Sequence, residues 1–201
     1  FEFGKDYIKK ENKYIEEERL SLFITGDKIS KNWNNNLEKS DFYFIKGIVF
    51  SIIDGLNLKN VNSRPTKDKN LKEGESLTLN DIPLVNYGIV TNNSLALFGI
   101  EQEVYYAEFN WNNIVKSIDK KPVLSKEIPK YPEVSRDLSI LIDENITFKS
   151  IYNEAYKANK NLIQNISLFD VYVGKNIPKS KKSYGLNFNI SDNSKTLSDS
   201  E

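Results

Sequence analysis

The chain has 201 residues, with 28 basic and 28 acidic side chains and no histidine, cysteine or methionine. Lack of cysteine rules out a disulfide framework and thiolate metal sites and suits a reducing compartment, and lack of histidine rules out serine–histidine and cysteine–histidine nucleophilic machinery. With the charge balanced at zero, nucleic-acid binding would have to come from a local patch, and no apolar run reaches the length of a membrane span.

Phe1 to Ile8 reads as a strand. A start in mid-strand with no methionine is expected of a piece cut from a longer protein. Arg19 to Thr25 alternates apolar and polar, with Leu20, Leu22 and Ile24 on one face and Gly26-Asp27 as the stop. The run Glu16-Glu17-Glu18 invites a metal reading, but adjacent acids on a turn or strand cannot all face one ion. Residues 30–39 form an asparagine-rich loop carrying Trp33, which with Trp111 is expected to anchor a core or an interface. Ser40-Asp41 opens a helix whose apolar stripe is Phe42, Ile45, Val49, Ile52 and Leu56. Asp41 reads as its N-cap.

Asn60 to Leu79 is expected as strand, a charged loop from Arg64 to Glu75, and strand again. Ile82 to Val90 is a further strand. Asn92-Asn93 should cap a short helix reaching Phe98. Val104 to Phe109 is a strand, and Asn110 caps a helix from Trp111 to Ile118. Residues 119–129, with Pro122 and Pro129, read as a stiff linker between a first domain, 1–118, and a second, 130–201.

In the second domain, Arg136 to Ile142 is a strand. Thr147 caps a helix to about Asn159, with Ile151, Ala155 and Ala158 facing inward. Ile163 to Val173 and Lys182 to Ile190 are strands, and a capping pattern near Thr196 opens another helix. The order is that of a split β-α-β, ferredoxin-like fold lacking its last strand. On the final strand Tyr184, Leu186, Phe188 and Ile190 share the face that must cover the helices. Ser183, Gly185, Asn187 and Asn189 share the open face, with Asp137, Ser139 and Leu141 from the first strand. That face reads as polar and small, with no aromatic platform of the kind RNA-recognition motifs use. Asn187 and Ser139 either read a splayed base or belong to a plain wet sheet face. Lys175, Lys179, Lys181 and Lys182 lie in one loop near Gly174 and Pro178. They are either a phosphate-binding patch or a solvated hairpin that blocks edge pairing. Arg136-Asp137 fits an ion pair or a strand-start hydrogen bond better than catalysis. No phosphate-cradling glycine loop occurs, so neither a catalytic nor a metal site is assigned.

Two segments carry a family resemblance: KYPEVSRDLSILID, Lys130 to Asp143, and LFDVYVGKNIPKSKKSYGLNFNISD, Leu168 to Asp192. Tyr131, Pro132, Arg136, Asp137, Phe169-Asp170-Val171-Tyr172, Gly174-Lys175, Ile177-Pro178, Lys182-Ser183 and Asp192 resemble the ferredoxin-fold anticodon-binding domain of phenylalanyl-tRNA synthetase β subunits. FEFGK (Phe1–Lys5), LSLFITG (Leu20–Gly26), Asn32-Trp33, DFYFIKG (Asp41–Gly47), YGIV (Tyr87–Val90) and EVYYAEFNW (Glu103–Trp111) resemble the back half of that subunit's catalytic-like module.

The resemblance implies an α+β protein. A partial class II synthetase-like antiparallel sheet, without catalytic motifs, is followed by a C-terminally truncated ferredoxin-like domain. It implies a tRNA-recognition and assembly role in a cytoplasmic phenylalanine–tRNA ligase, with tRNA(Phe) and a catalytic α subunit as partners in a two-α, two-β tetramer. ATP and magnesium would serve the whole enzyme, with none held here and no membrane contact. Under this reading Arg136, Ser139, Lys175, Lys179, Lys181, Lys182 and Asn187 are the candidate RNA-binding residues. The stripe Phe42–Leu56 and the strand edges near Phe1 would present an apolar patch beyond a few hundred Å² to the α subunit. A ferredoxin-like regulatory ligand-binding module and an assembly scaffold without RNA contact are the rival readings.

Overall fold

The computed structural model describes residues 1–29, 33–34, 36–118 and 130–197. Two units divide the chain, Phe1–Pro122 and Val123–Glu201; the expected linker, 119–129, lies outside the described residues. Among the described residues no helix is long and apolar enough to cross a membrane.

The first unit is built on six antiparallel strands. Its elements are β1 (Glu2–Lys10), β2 (Lys13–Thr25), α1 (Phe42–Gly55), β3 (Asn62–Pro65), β4 (Leu71–Leu79), β5 (Ile82–Val90), α2 (Asn92–Ala96), β6 (Val104–Asn110) and α3 (Trp111–Ser117). The strands run in the order β1-β2-β6-β5-β4-β3, with α1 and α3 packed on the sheet. Asp41 starts α1 by accepting a hydrogen bond from the Phe44 backbone N–H at 2.7 Å, which satisfies one of the orphan donors of the first turn.

The stripe of α1 is buried inside this unit. Ile45, Val49 and Ile53 are at most 1% exposed and meet Leu77, Leu84, Tyr87, Ala107 and Phe109. Burying side chains of this size stabilises by about 1.5–3 kcal/mol each. The expectation that this stripe faces another subunit is therefore wrong: the sheet consumes it. Phe1 and Phe3, at the free edge of the sheet, remain exposed.

Other expectations shift for local reasons. The charged loop Arg64–Glu75 is mostly strand, because β3 takes in Arg64 and Pro65 and β4 begins at Leu71. Charges are compatible with strands near a sheet edge, where one face meets water. Thr91, not Asn92 or Asn93, caps α2, its hydroxyl accepting from the Ser94 N–H at 3.3 Å, and the helix stops at Ala96. Trp33 is 97% exposed and anchors no core. Trp111 is half-buried and meets the Phe3 ring edge-on, with centroids 5.5 Å apart.

Lys28 Nζ sits 2.9 Å from the Asp41 carboxylate. This bond and the Phe44 N–H hold the Asp41 carboxyl below its ordinary range. Asp41→Ala should cost about 1 kcal/mol in denaturant unfolding, the usual worth of an N-cap. Because the folded value is depressed, the cap's electrostatic share is present above the unfolded value near 4 and is lost as pH falls through the folded one. The deficit of the variant should therefore narrow in acid.

The second unit holds β7 (Val134–Asp143), α4 (Phe148–Ala158), β8 (Ile163–Tyr172) and β9 (Lys181–Ile190). The antiparallel order β7-β9-β8 places the last strand between the other two, as in ferredoxin-like folds. Thr147 caps α4 through the Ser150 N–H at 3.2 Å. Ile151 and Ala155 are half-buried, while Ala158, in the last turn, is exposed and does not face inward. Thr196 and Leu197 are not helical; the rest of that expected helix lies outside the described residues.

Candidate nucleic-acid interface

β9 is the middle strand, so its register sorts the sheet into two faces. Arg136, Leu138, Ile140 and Ile142 stand opposite Phe188, Leu186, Tyr184 and Lys182. Tyr184 and Leu186 are buried, which marks this as the helix side. An apolar groove of about 400 Å³ opens there, lined by Leu138, Ile140, Ile146, Ile151, Leu186 and Phe188 among others. The other face carries Ser135, Asp137, Ser139 and Leu141, opposite Asn189, Asn187, Gly185 and Ser183.

Ser139 and Asn187 therefore share the open face, in neighbouring rows. The Ser139 and Ser183 hydroxyls lie 3.3 Å apart. Asn187 Nδ2 donates to Ser135 Oγ and to Asp137 Oδ1, both at 2.7 Å. Arg136 does not join them. It alternates to the helix side of β7, with one guanidinium nitrogen donating to the Ser135 carbonyl at 3.2 Å.

The open face is also more aromatic than alternation along the strands suggests. β8 slips register between Leu168 and Asp170, so Phe169 is the extra residue of a bulge. A bulge sets two residues against one partner and re-aims a side chain. A Cβ on Gly185 would lie 2.8 Å from the Phe169 ring and 3.0 Å from the Asp170 Cβ. Only glycine leaves the ring its place over the middle strand. Phe169 is 61% exposed there. Tyr172, opposite Ser183 on the same face, is also exposed. The expectation of no aromatic platform is thus corrected. The sequence signal was the pair Phe169 and Gly185 on adjacent strands, which the bulge brings into contact.

The lysines diverge. Lys181 pairs with Asp143 across the strands at 3.1 Å. Lys182 donates to the Glu144 carbonyl at 2.8 Å and lies over the Tyr184 ring, 4.8 Å from its centroid, so it braces the helix side. Lys175 and Lys179 are exposed in the turn before β9. Among the described residues neither has a salt-bridge partner.

Two family models match the chain. The phenylalanyl tRNA synthetase beta chain CLM domain matches residues 1–111, and the ferredoxin-fold anticodon binding domain matches residues 129–201. The chain belongs to the phenylalanyl-tRNA synthetase β-subunit family. It is 37% identical to the phenylalanine–tRNA ligase beta subunit of Bacteroides thetaiotaomicron, over 99% of the chain and 26% of that relative. Against the same subunit of Porphyromonas gingivalis it is 30% identical over its whole length, and against that of Fusobacterium nucleatum 31%, also over its whole length. The chain spans about a quarter of the length of these relatives.

Proposed function

We propose that this chain forms the tRNA-recognition and assembly portion of a phenylalanine–tRNA ligase β subunit. In this reading the β7-β9-β8 sheet binds the anticodon region of tRNA(Phe), and the first unit supports a catalytic α subunit in a cytoplasmic two-α, two-β enzyme. The observation that carries it is the family match over the second unit, joined to an open face with exposed rings and hydrogen-bonding side chains. Single-stranded RNA is read by stacking and by hydrogen bonds to base edges.

The enzyme would use ATP and magnesium, but the described residues of this chain do not fit a metal. Among the described residues no group of three or more carboxylates gathers to hold an ion. In this reading the chain contributes binding and orientation. Alone it should give no phenylalanine-dependent ATP–pyrophosphate exchange. Co-expressed as part of the whole β subunit it should co-purify with the α subunit; a β subunit that remains a lone monomer would overturn the assembly role.

Among the seven candidate residues, Ser139 and Asn187 are assigned to bases, and Lys175 and Lys179 to phosphates. Arg136, Lys181 and Lys182 take supporting places, since each is engaged within the unit. Lys175→Ala with Lys179→Ala should weaken tRNA binding without changing which tRNA is preferred. Each lost phosphate contact should shallow the salt dependence by about one unit. An unchanged slope returns the loop to the role of a solvated turn.

A further inference from the structure

The six-stranded sheet of the first unit turns one face to α1, where Glu75 meets Lys46, Ser63 and Tyr87. The residues that alternate with these belong to the other face. Arg64 of β3, Ser76 of β4 and Asn86 of β5 stand there in one row across three strands. A hollow of about 460 Å³ opens at this row, lined by Arg64, Thr66, Lys67, Ser76, Thr78 and Asn86 among others. Its volume is that of a small-molecule site.

One wall is the chain that leaves β3. The Thr66 N–H donates to the Gly74 carbonyl at 3.0 Å, which ties Thr66 to β4. A Cβ on Gly74 would overlap the Tyr87 carbonyl oxygen and lie 3.0 Å from Thr66 Cγ2, so only glycine permits this approach. The turn that follows satisfies itself. Thr66 Oγ1 accepts from the Asp68 N–H at 3.2 Å, and the Asp68 carboxylate accepts from the Asn70 N–H at 2.9 Å.

The lining is rich in donors. Ser76 Oγ donates to Asn86 Oδ1 at 2.6 Å, which engages the amide oxygen and leaves both Nδ2 protons to spend. Thr66 uses its hydroxyl as an acceptor and keeps its proton. Thr78 Oγ1 is buried with no hydrogen-bond partner among the described residues. Arg64 donates to Asp81 at 3.2 Å, but both side chains are largely exposed, and such a pair is easily exchanged for a better one. Lys67 is exposed and has no salt-bridge partner among the described residues. Asp68 is the one acid of the lining, and one of its oxygens is engaged in the turn.

We propose that this hollow binds a small phosphate monoester, its phosphate held by Arg64, Lys67 and the Asn86 amide. The site lies in the first unit and is independent of the anticodon-binding reading. A phosphate monoester carries close to two negative charges and three acceptor oxygens. It is the complement of two cations and several unspent N–H and O–H groups. Arginine meets phosphate through two parallel N–H bonds, and lysine meets it as a point charge. A carboxylate brings one charge and two oxygens to the same donors. Free phosphate leaves most of the hollow unfilled, which favours an ester of a sugar-sized body.

The probe is ribose 5-phosphate, titrated into the full chain at fixed ionic strength. The readouts are the Asn86 side-chain amide and the Gly74 and Gly88 backbone amides by NMR. Saturable shifts are expected, with ribose silent and with acetate and inorganic phosphate each binding more weakly. Two isosteric variants carry opposite signs. Asn86→Asp adds a carboxylate to the hollow and should weaken binding about tenfold or more. Asp68→Asn keeps an oxygen for the Asn70 N–H but removes the one acid, and should tighten it. Arg64→Gln with Lys67→Gln, both exposed in the wild type, should lose about tenfold or more without a change in unfolding midpoint. No saturable shift up to about 10 mM, ten times the usual upper end for metabolite sites, would overturn the proposal. So would equal binding of ribose, acetate or inorganic phosphate, or tighter binding by Asn86→Asp.

Discussion

Replacing Phe169 and Tyr172 together by alanine is expected to weaken binding of the tRNA(Phe) anticodon stem–loop by about thirtyfold or more. Both rings are exposed on the open face, and one stacked base is worth about 1–3 kcal/mol by alanine substitution. Two such contacts at the low end already give that factor. The stability cost should be small, because neither ring is buried in the core. Fluorescence anisotropy at fixed salt measures the first quantity and thermal unfolding the second. A second route to the same end is Gly185→Ala. Its methyl would meet the Phe169 ring at 2.8 Å and drive it off the strand, so affinity should fall although no ring has been removed. Unchanged affinity in both variants would remove the rings from the interface.

The largest stability effect is expected in the first unit. Glu75, on β4, accepts hydrogen bonds from Lys46 Nζ of α1 at 2.8 Å, from Ser63 Oγ of β3 at 2.8 Å and from the Tyr87 hydroxyl of β5. One carboxylate thereby ties the helix to three strands. Tyr87 is fully buried, and that burial, reinforced by Glu75, pushes its phenol well above the ordinary range. Glu75→Ala strands this hydroxyl and releases the Lys46 charge, and should destabilise the chain by about 2–3 kcal/mol. Tyr87→Phe, which removes donor and demand together, should cost less.

The pH dependence of this cluster has a definite sign. Burial raises the Glu75 carboxyl, but Lys46, Tyr87 and Ser63 outweigh it, and the folded value lies below the ordinary one. Its contribution is therefore full above the unfolded value, near 4.3, and is lost as pH falls through the folded value. The difference in unfolding free energy between wild type and Glu75→Ala should shrink below pH 4. A constant difference down to pH 3 would contradict this account.

Much of the fold was legible because local signals and burial agree. Ile82–Val90 and the Asp41-capped helix fall where pattern and cap chemistry place them. So does the helix after Asn110, whose side chain accepts from the Asn113 N–H at 3.0 Å. The open face was legible only in part. Ser139 and Asn187 follow from strict alternation, and the register places them there. Phe169 does not, because a bulge inserts a residue and breaks the period of two. The lysine loop misled for a related reason. Four charges close in sequence look like one patch, yet Lys181 and Lys182 lie on a strand and point to opposite faces. Alternation assigns Arg136 to the same face as Leu138 and Ile140, so its separation from Ser139 was readable in the sequence. Family likeness, rather than side-chain geometry, grouped it with the RNA-binding residues. For α1, the sequence gives an apolar stripe but not what covers it; burial shows that its own sheet does.

The most direct test of the central claim is side-chain NMR of the full chain titrated with the tRNA(Phe) anticodon stem–loop. The ring protons of Phe169 and Tyr172 and the side-chain amide protons of Asn187 report the open face. The methyl groups of Ile140 and Ile151 report the helix side, where they line the same groove. The account predicts saturable shifts of the first set, with the second set unmoved. Shifts confined to the Ile140 and Ile151 methyls, or no shift in either set at saturating RNA, would contradict it.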